Sequence, residues 1–209
     1  MKKAVILVLA AAAVGLMLQP SALVRDAVLG HYGFPAYKGM WILIPHVFLY
    51  STLSALYCAI AWTALAAAGW IAPAQFRLSA GVITKGVIAG LISVAFTVAV
   101  FFAMGMQGAF HAPHVDPWLM AANLFSNFYE ELIFRGFILA ALTALFGFWP
   151  AALLSSLAFG LVHSQYPLPL QLLVAAMGFL WCWISRNTGS LFAPWIAHMT
   201  LDWIIDPIV

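Results

Sequence analysis

Glu130 and Glu131 stand side by side in an apolar stretch that runs from Trp118 to Phe148, and Arg135 follows one helical turn later. A carboxylate or guanidinium at the centre of a bilayer costs roughly 2.5–3.5 kcal/mol by insertion scales. Three such groups between positions 130 and 135 demand about 8–10 kcal/mol before any pairing. An apolar helix needs none of them, so they are the first candidates for chemistry. Glu131 and Arg135 are related as i and i+4, share a helix face and are spaced to form an ion pair. Glu130 turns about 100° away, onto the face of Asn127 and Phe134. One carboxylate is thus neutralised and the other is left over. A leftover carboxylate in apolar surroundings holds protons more readily, which suits a general base working near neutral pH. A structural clamp would need only one acid.

Two further patches set ionisable groups into helical runs. Phe159-Gly160-Leu161-Val162-His163 ends on a histidine at a helix terminus, which alone reads as a cap or interface residue. His198-Met199-Thr200-Leu201-Asp202 carries a histidine and an acid at i and i+4. Alone it reads as a polar packing pair, but Asp202 is spaced to fix the tautomer of His198. His111 and His114, near Asp116, read as solvated loop residues, His46 as a packed side chain and His31 as loop decoration. Cys58 and Cys182 lie in apolar runs, where a free thiol behaves as a small hydrophobe, and no disulfide framework is indicated.

Positioning these groups falls to helices. The chain has 209 residues, of which 66% are hydrophobic and 7% charged, with a mean hydropathy of +1.05. Soluble domains carry about a quarter charged residues, so the composition predicts an all-α, polytopic transmembrane bundle. No stretch has the composition of a linker, so residues 1–209 are expected to form one integral-membrane domain. A net charge of +2, dispersed along the chain, gives no footprint for nucleic acid. The expected partners are the lipid bilayer and a membrane-associated protein or peptide.

Seven apolar runs predict about seven helices, within a range of six to eight: Ala4 to Leu18, Met40 to Ala72, Val82 to Met106, Trp118 to Phe148, Pro150 to Val162, Pro167 to Ile184 and Ser190 to Ile205. The first follows a basic start, as a signal peptide does, but the exit Gln19-Pro20-Ser21-Ala22 lacks a small-x-small pattern, so a retained anchor helix is favoured. Ser190 is a suitable N-cap for the last helix, with Pro194 in its first turn. Alternating seven helices puts Lys2, Lys3, Arg77, Lys85 and Arg186 on one side, and Arg25 and Lys38 on the other with Asp26, Asp116 and Asp206. That bias predicts a cytoplasmic N-terminus, and a short chain with a basic start suits a prokaryotic plasma membrane.

Taken in order, Glu130-Glu131-x-x-x-Arg135, Phe159-x-x-x-His163 and His198-x-x-x-Asp202 resemble the three motifs of the CPBP family (CAAX proteases and bacteriocin-processing enzymes, also called Abi). The approach Arg186-Asn187-Thr188-Gly189-Ser190-Leu191 is similar to the family's turn before its last motif. The resemblance covers about residues 118–205, the expected catalytic core. It implies an intramembrane glutamic endopeptidase with no cofactor and no metal. Glu130 would be the general base, His163 would help to hold a water, and His198 with position 202 would stabilise the oxyanion. Glu131 and Arg135 would hold those groups in place. Glu130, His163 and His198 are then expected to converge on one water-accessible cavity. The sequence leaves the peptide cut unspecified: prenylated tails, leader peptides and sorting tails all fit.

One position departs from the pattern. Many members carry asparagine where this chain has Asp202, and an ionised aspartate has no hydrogen to donate to an oxyanion. Either Asp202 is protonated, or it orients His198 and leaves donation to the imidazole, the favoured reading. Two other functions compete. Glu130, His163 and His198 are the right types for a zinc-binding His₂Glu set, although no His-Glu-x-x-His is present. A non-enzymatic immunity or chaperone-like membrane protein is also compatible, because family resemblance alone does not establish activity.

Overall fold

The computed structural model describes residues 1–18, 52–73 and 75–209, together with residues 40 and 43. The described part is an all-α bundle of seven helices, counting one interrupted rod as a single helix. In chain order they are α1 (Lys2–Leu18), α2 (Thr52–Ala67), α3 (Ala80–Ala103), α4 (Pro117–Glu131), which continues through a π-helical segment (Leu132–Ile138) into α5 (Leu139–Phe146), then α6 (Phe148–Val162), α7 (Leu168–Thr188) and α8 (Phe192–Ile205). The second predicted run is described only over its C-terminal part; His31, His46, Arg25, Asp26 and Lys38 lie outside the described residues.

Local chemistry sets the ends. Ser79 caps α3 by accepting from the Val82 amide, and Asp116 caps α4 by accepting from Trp118 at 2.8 Å and Leu119 at 3.3 Å, with Pro117 in the first turn. Gly189 ends α7 at φ 61°, in the left-handed conformation that glycine adopts without penalty. Ser190 accepts from the Phe192 amide at 3.2 Å, as expected of a cap, but the helix begins at Phe192, one residue later than a cap at Ser190 predicts. The run read as continuous from Trp118 to Phe148 breaks at Gly147, whose φ of 78° ends α5 and lets α6 start at Phe148.

The helices α3 and α7 are long and apolar enough to cross a membrane; at 1.5 Å per residue the 24 residues of α3 span about 36 Å. Large apolar side chains cover the outside, among them Leu56, Ile60, Ile88, Leu91 and Leu172, while Asn123, Asn127, Glu131, Arg135 and His198 are buried. That is the polarity of a bundle bathed in lipid. Helix α3 packs along α8, and α6 along α7. At the first crossing Gly86 lets the α8 backbone close in, since a Cβ there would lie 2.8 Å from the Ala193 carbonyl. Helix α1 packs into the bundle through Ile6, Ala10 and Ala13, and its Leu9 carbonyl accepts from the Tyr57 hydroxyl at 3.1 Å.

The two ends of the bundle differ in charge. At one, Lys2 lies over Trp70, the Arg77 carbonyl accepts from Ser190, and Arg186 lies over Phe148 and Trp149. At the other, the backbone amides of His111 and His114 bond to Ile208 and Pro207, near Asp116 and Asp206.

Candidate active site

Helices α4 and α8 run antiparallel, each with a polar residue every fourth position on the facing side. Asn123 donates to Asp206 at 2.9 Å, Asn127 donates to Asp202 at 2.7 Å, and Glu131 meets His198 Nδ1 at 3.0 Å. Four residues is close to one helical turn, so both sets stay on one face and form three successive cross-links. The third lies deepest and carries the ionisable groups the sequence singled out.

At that level one carboxylate oxygen serves two partners. Glu131 Oε1 accepts from Arg135 Nη1 at 3.1 Å and lies 3.0 Å from His198 Nδ1. Glu131 and Arg135 are both buried, and the expected ion pair is formed. Directly after Glu131 the helix widens into the π segment that carries Arg135, a feature found preferentially at functional sites. The Arg135 guanidinium lies over Phe159 at 4.0 Å and Trp181 at 5.1 Å. Its Nε and Nη2 have no hydrogen-bond partner, so the ring faces provide their stabilisation. Gly178 makes room, because a Cβ there would stand 2.7 Å from Arg135 Nη2.

Glu130 is left out of this pair, as its helical phase predicts. Its Oε2 approaches His198 Nε2 at 4.0 Å, and Asp202 Oδ2 stands 3.6 Å from the same nitrogen. The short contact that sets the orientation of His198 therefore comes from Glu131 on α4. It does not come from Asp202, the same-helix partner favoured by spacing. An Nδ1–H donated to Glu131 turns Nε2 toward Glu130 and Asp202. Asp202 is itself held by Asn127, whose Nδ2 also contacts Met199 Sδ at 3.5 Å.

His163 caps the end of α6 and donates from Nδ1 to the Phe159 carbonyl at 2.7 Å, so its neutral ring carries the lone pair on Nε2. It joins the group through Phe159, whose ring centroid is 4.8 Å from that of His163 and 5.9 Å from that of His198. Glu130, His198, Asp202, Glu131 and Arg135 thus meet directly, and His163 adjoins them across one aromatic ring. Among the described residues no three His, Cys, Asp or Glu side chains stand close enough to hold a metal, so Glu130, His163 and His198 do not form a ready zinc set.

Sequence reasoning missed three features. Asp206, read there as a loop charge, is bonded to Asn123. A small cavity of about 20 Å³ beside the two, lined also by Asp116, Asp202 and His114, has room for one water. Burial, with Asp202 adding like charge, pushes the Asp206 carboxyl up to about 7, while the Asn123 bond opposes the rise. Asn127 was visible only as a neighbour on the Glu130 face. Tyr166, in the turn after His163, stacks on that histidine with 8° between ring planes. The four-residue spacing of Asn123, Asn127 and Glu131 against His198, Asp202 and Asp206 was the available signal for the first two. His111 and His114 are exposed, and Cys58 and Cys182 are buried free thiols, as their surroundings predict.

Three carboxylates, a histidine and an arginine thus meet inside an all-α bundle, with a second histidine adjoining them across Phe159. Residues 112–204 match the model of the family described as type II CAAX prenyl endopeptidase Rce1-like, which bears out the CPBP resemblance over that part of the chain. Over 84 residues, 40% of this chain and 34% of the other, the sequence is 33% identical to the "Putative membrane peptidase YdiL" of Bacillus subtilis (strain 168). The match therefore spans about a third of that relative's length. No solved structure matches.

Proposed function

We propose that the chain is an intramembrane endopeptidase that hydrolyses a peptide bond of a membrane-associated protein or peptide, with Glu130 as general base and a reacting core within residues 118–205. The observation that carries the reading is the division of labour between adjacent carboxylates: Glu131 is consumed by Arg135 and His198, while Glu130 faces His198 Nε2 across 4.0 Å. That gap is too wide for a direct hydrogen bond and suits a bridging water.

Glu130 takes a proton from this water as its oxygen attacks the peptide carbonyl carbon. The carbonyl π electrons move to oxygen, and His198, as the imidazolium with Nδ1–H held by Glu131, donates from Nε2–H to the resulting oxyanion. The lone pair on His163 Nε2 accepts the other hydrogen of the water and orients it. Collapse of the intermediate breaks the C–N bond, and the proton held by Glu130 passes to the leaving amine. Glu131 keeps the His198 ring aligned, with Arg135 holding Glu131 in turn.

The matched family's description makes a prenylated C-terminal tail one candidate substrate, and leader or sorting peptides fit the same chemistry. Lys2, Arg77 and Arg186 at one end of the bundle support a cytoplasmic N-terminus in a prokaryotic plasma membrane, testable by reporter fusions to each terminus. The decisive experiment compares the termini of membrane proteins in cells making the wild type, Glu130→Gln or His163→Ala. The expected result is a set of shifted termini in the wild type alone, with all three chains equally abundant and folded. Unchanged termini with Glu130→Gln active in the biological role would overturn the peptidase reading. One stoichiometric zinc, with activity abolished by chelation, would replace the glutamate mechanism by a metal-dependent one.

A further inference from the structure

The basic end of the bundle holds cations without anions. Lys2, Arg77, Lys85 and Arg186 belong to it, whereas the described acids, Asp116, Glu130, Glu131, Asp202 and Asp206, lie at the centre or toward the opposite end. Among the described residues no carboxylate pairs with any of the four. Two of these cations rest on aromatic rings: Lys2 Nζ is 5.8 Å from the centroid of Trp70, and the Arg186 guanidinium 4.3 Å from that of Phe148. Both rings line a cavity of about 410 Å³ between α2, α5 and the C-terminal turn of α7. Arg186 itself stands in the wall, with Trp62 and Leu139 supplying apolar surface and Gln75 and Ser185 polar groups.

Hydrogen bonds pin these walls. The Trp62 indole donates to the Ala72 carbonyl at 2.7 Å, the Leu191 amide to the Gln75 carbonyl at 3.0 Å and the Ser190 hydroxyl to the Arg77 carbonyl at 2.6 Å. The connection from α2 to α3 is thereby tied to α2 below it and to the α7–α8 turn beside it. A pinned cavity of several hundred Å³, apolar but for a few placed polar groups, has the form of a small-molecule site. Its apolar wall calls for hydrocarbon, and the unpaired ammonium and guanidinium at its rim call for an anion. A free phosphate would answer the rim and leave the indole wall facing water; a neutral lipid would cover the wall and leave the cations unanswered.

We propose that this cavity binds one anionic phospholipid, its phosphodiester met by Lys2 and Arg186 at the rim and an acyl segment lying against Trp62 and Leu139. The site is separate from the peptidase reading: of the residues placed at the reacting centre, only Arg135 touches the cavity.

The test uses the full chain, purified in uncharged detergent and titrated with phosphatidylglycerol, with phosphatidylcholine of the same acyl chains, and with glycerol 3-phosphate as the head group alone. Native mass spectrometry reads the number bound and the affinity. A basic side chain near an anionic head group is worth about fivefold in affinity, so two should make phosphatidylglycerol about 30-fold tighter than phosphatidylcholine, at one molecule per chain. The double variant Lys2→Gln, Arg186→Gln should lose that preference, and Arg186→Lys should keep it. Ala144→Phe, which fills the cavity from an exposed position in its wall, should weaken both lipids alike. Equal affinity of the wild type for the two lipids overturns the proposal, as does unchanged phosphatidylglycerol binding by Ala144→Phe. Glycerol 3-phosphate binding as tightly as the lipid also overturns it and assigns the rim to a soluble anion. Should Ala144→Phe lower the lipid-free thermal midpoint, the Lys2 and Arg186 variants, both at exposed positions, carry the test alone.

Discussion

Replacing Arg135 by methionine tests the energetics at the centre of the bundle. The guanidinium is buried, donates to Glu131 at 3.1 Å and lies over two aromatic rings. Methionine keeps most of the volume and a polarisable contact with Phe159 and Trp181, but leaves Glu131 buried with His198 as its remaining partner. Breaking a buried pair by removing one member costs about 3–5 kcal/mol. At about 2–4 °C per kcal/mol for a chain of this size, the midpoint should fall by about 6–20 °C. Glu131→Gln should cost a similar amount, because it leaves Arg135 unneutralised. The double variant removes both charges, and exchange of a whole buried pair for neutral groups is often tolerated. It should recover to within about 2 kcal/mol of wild type, a coupling of at least about 4 kcal/mol. Thermal unfolding of all four proteins in nanodiscs reads this directly. Peptidase activity should stay lost in the double variant, since His198 no longer has a carboxylate on Nδ1. Additive losses would refute the idea that Glu131 and Arg135 act as one unit, and a fully active double variant would refute the orienting role of Glu131.

Three further substitutions address Asp202 on α8 and Asp206 just past its end. Asp202→Asn keeps an oxygen for Asn127 and adds an amide donor beside His198, so cleavage should be at least as fast as wild type. Asp202→Ala, which leaves Asn127 without its acceptor, should lose about 10-fold or more. Asp206 tests pH dependence. Its folded carboxyl titrates at about 7 against an ordinary 3.8, chiefly through burial and then through Asp202, with Asn123 opposing from α4. A raised carboxyl contributes stability that is complete below pH 3.8 and disappears as the pH climbs through about 7. Asp206→Asn should therefore gain relative to wild type between pH 5 and pH 8, by less than about 1 kcal/mol because the residue is desolvated only on its Asn123 side and solvent on the other screens it. A gain that is the same at both pH values would rule out the titration of Asp206 as its source.

Much of the bundle was legible because lipid imposes a coarse rule: a helix long enough and apolar enough to span is visible as a run. The rule has little resolution inside a run. Nothing polar marks Gly147, so two helices read as one boundary late, and the π turn escaped notice because Glu131 and Arg135 at i and i+4 are compatible with either helix type. The same limit governed the site. The residues were identifiable one motif at a time, but their partners were assigned along the chain, where spacing speaks. His198 was therefore given to Asp202 on its own helix, when the shorter contact is made by Glu131 across the bundle. Asp206 was given to solvent because its amide partner lies 83 positions away.

The widened turn at Leu132–Ile138 carries a consequence for chain length. Upstream of it the rod addresses α8 every fourth residue; within it, Gly136 lies flat against Trp62 of α2, where any side chain would collide. The bulge is the phase adjuster that lets one rod satisfy two unlike neighbours. Deleting a single residue there would rotate one half by about 100° against the other, uncoupling all three bonds to α8 together, a defect no point substitution imitates. Among homologues, the number of residues between the paired glutamates and that glycine should be as restricted as the glutamates themselves.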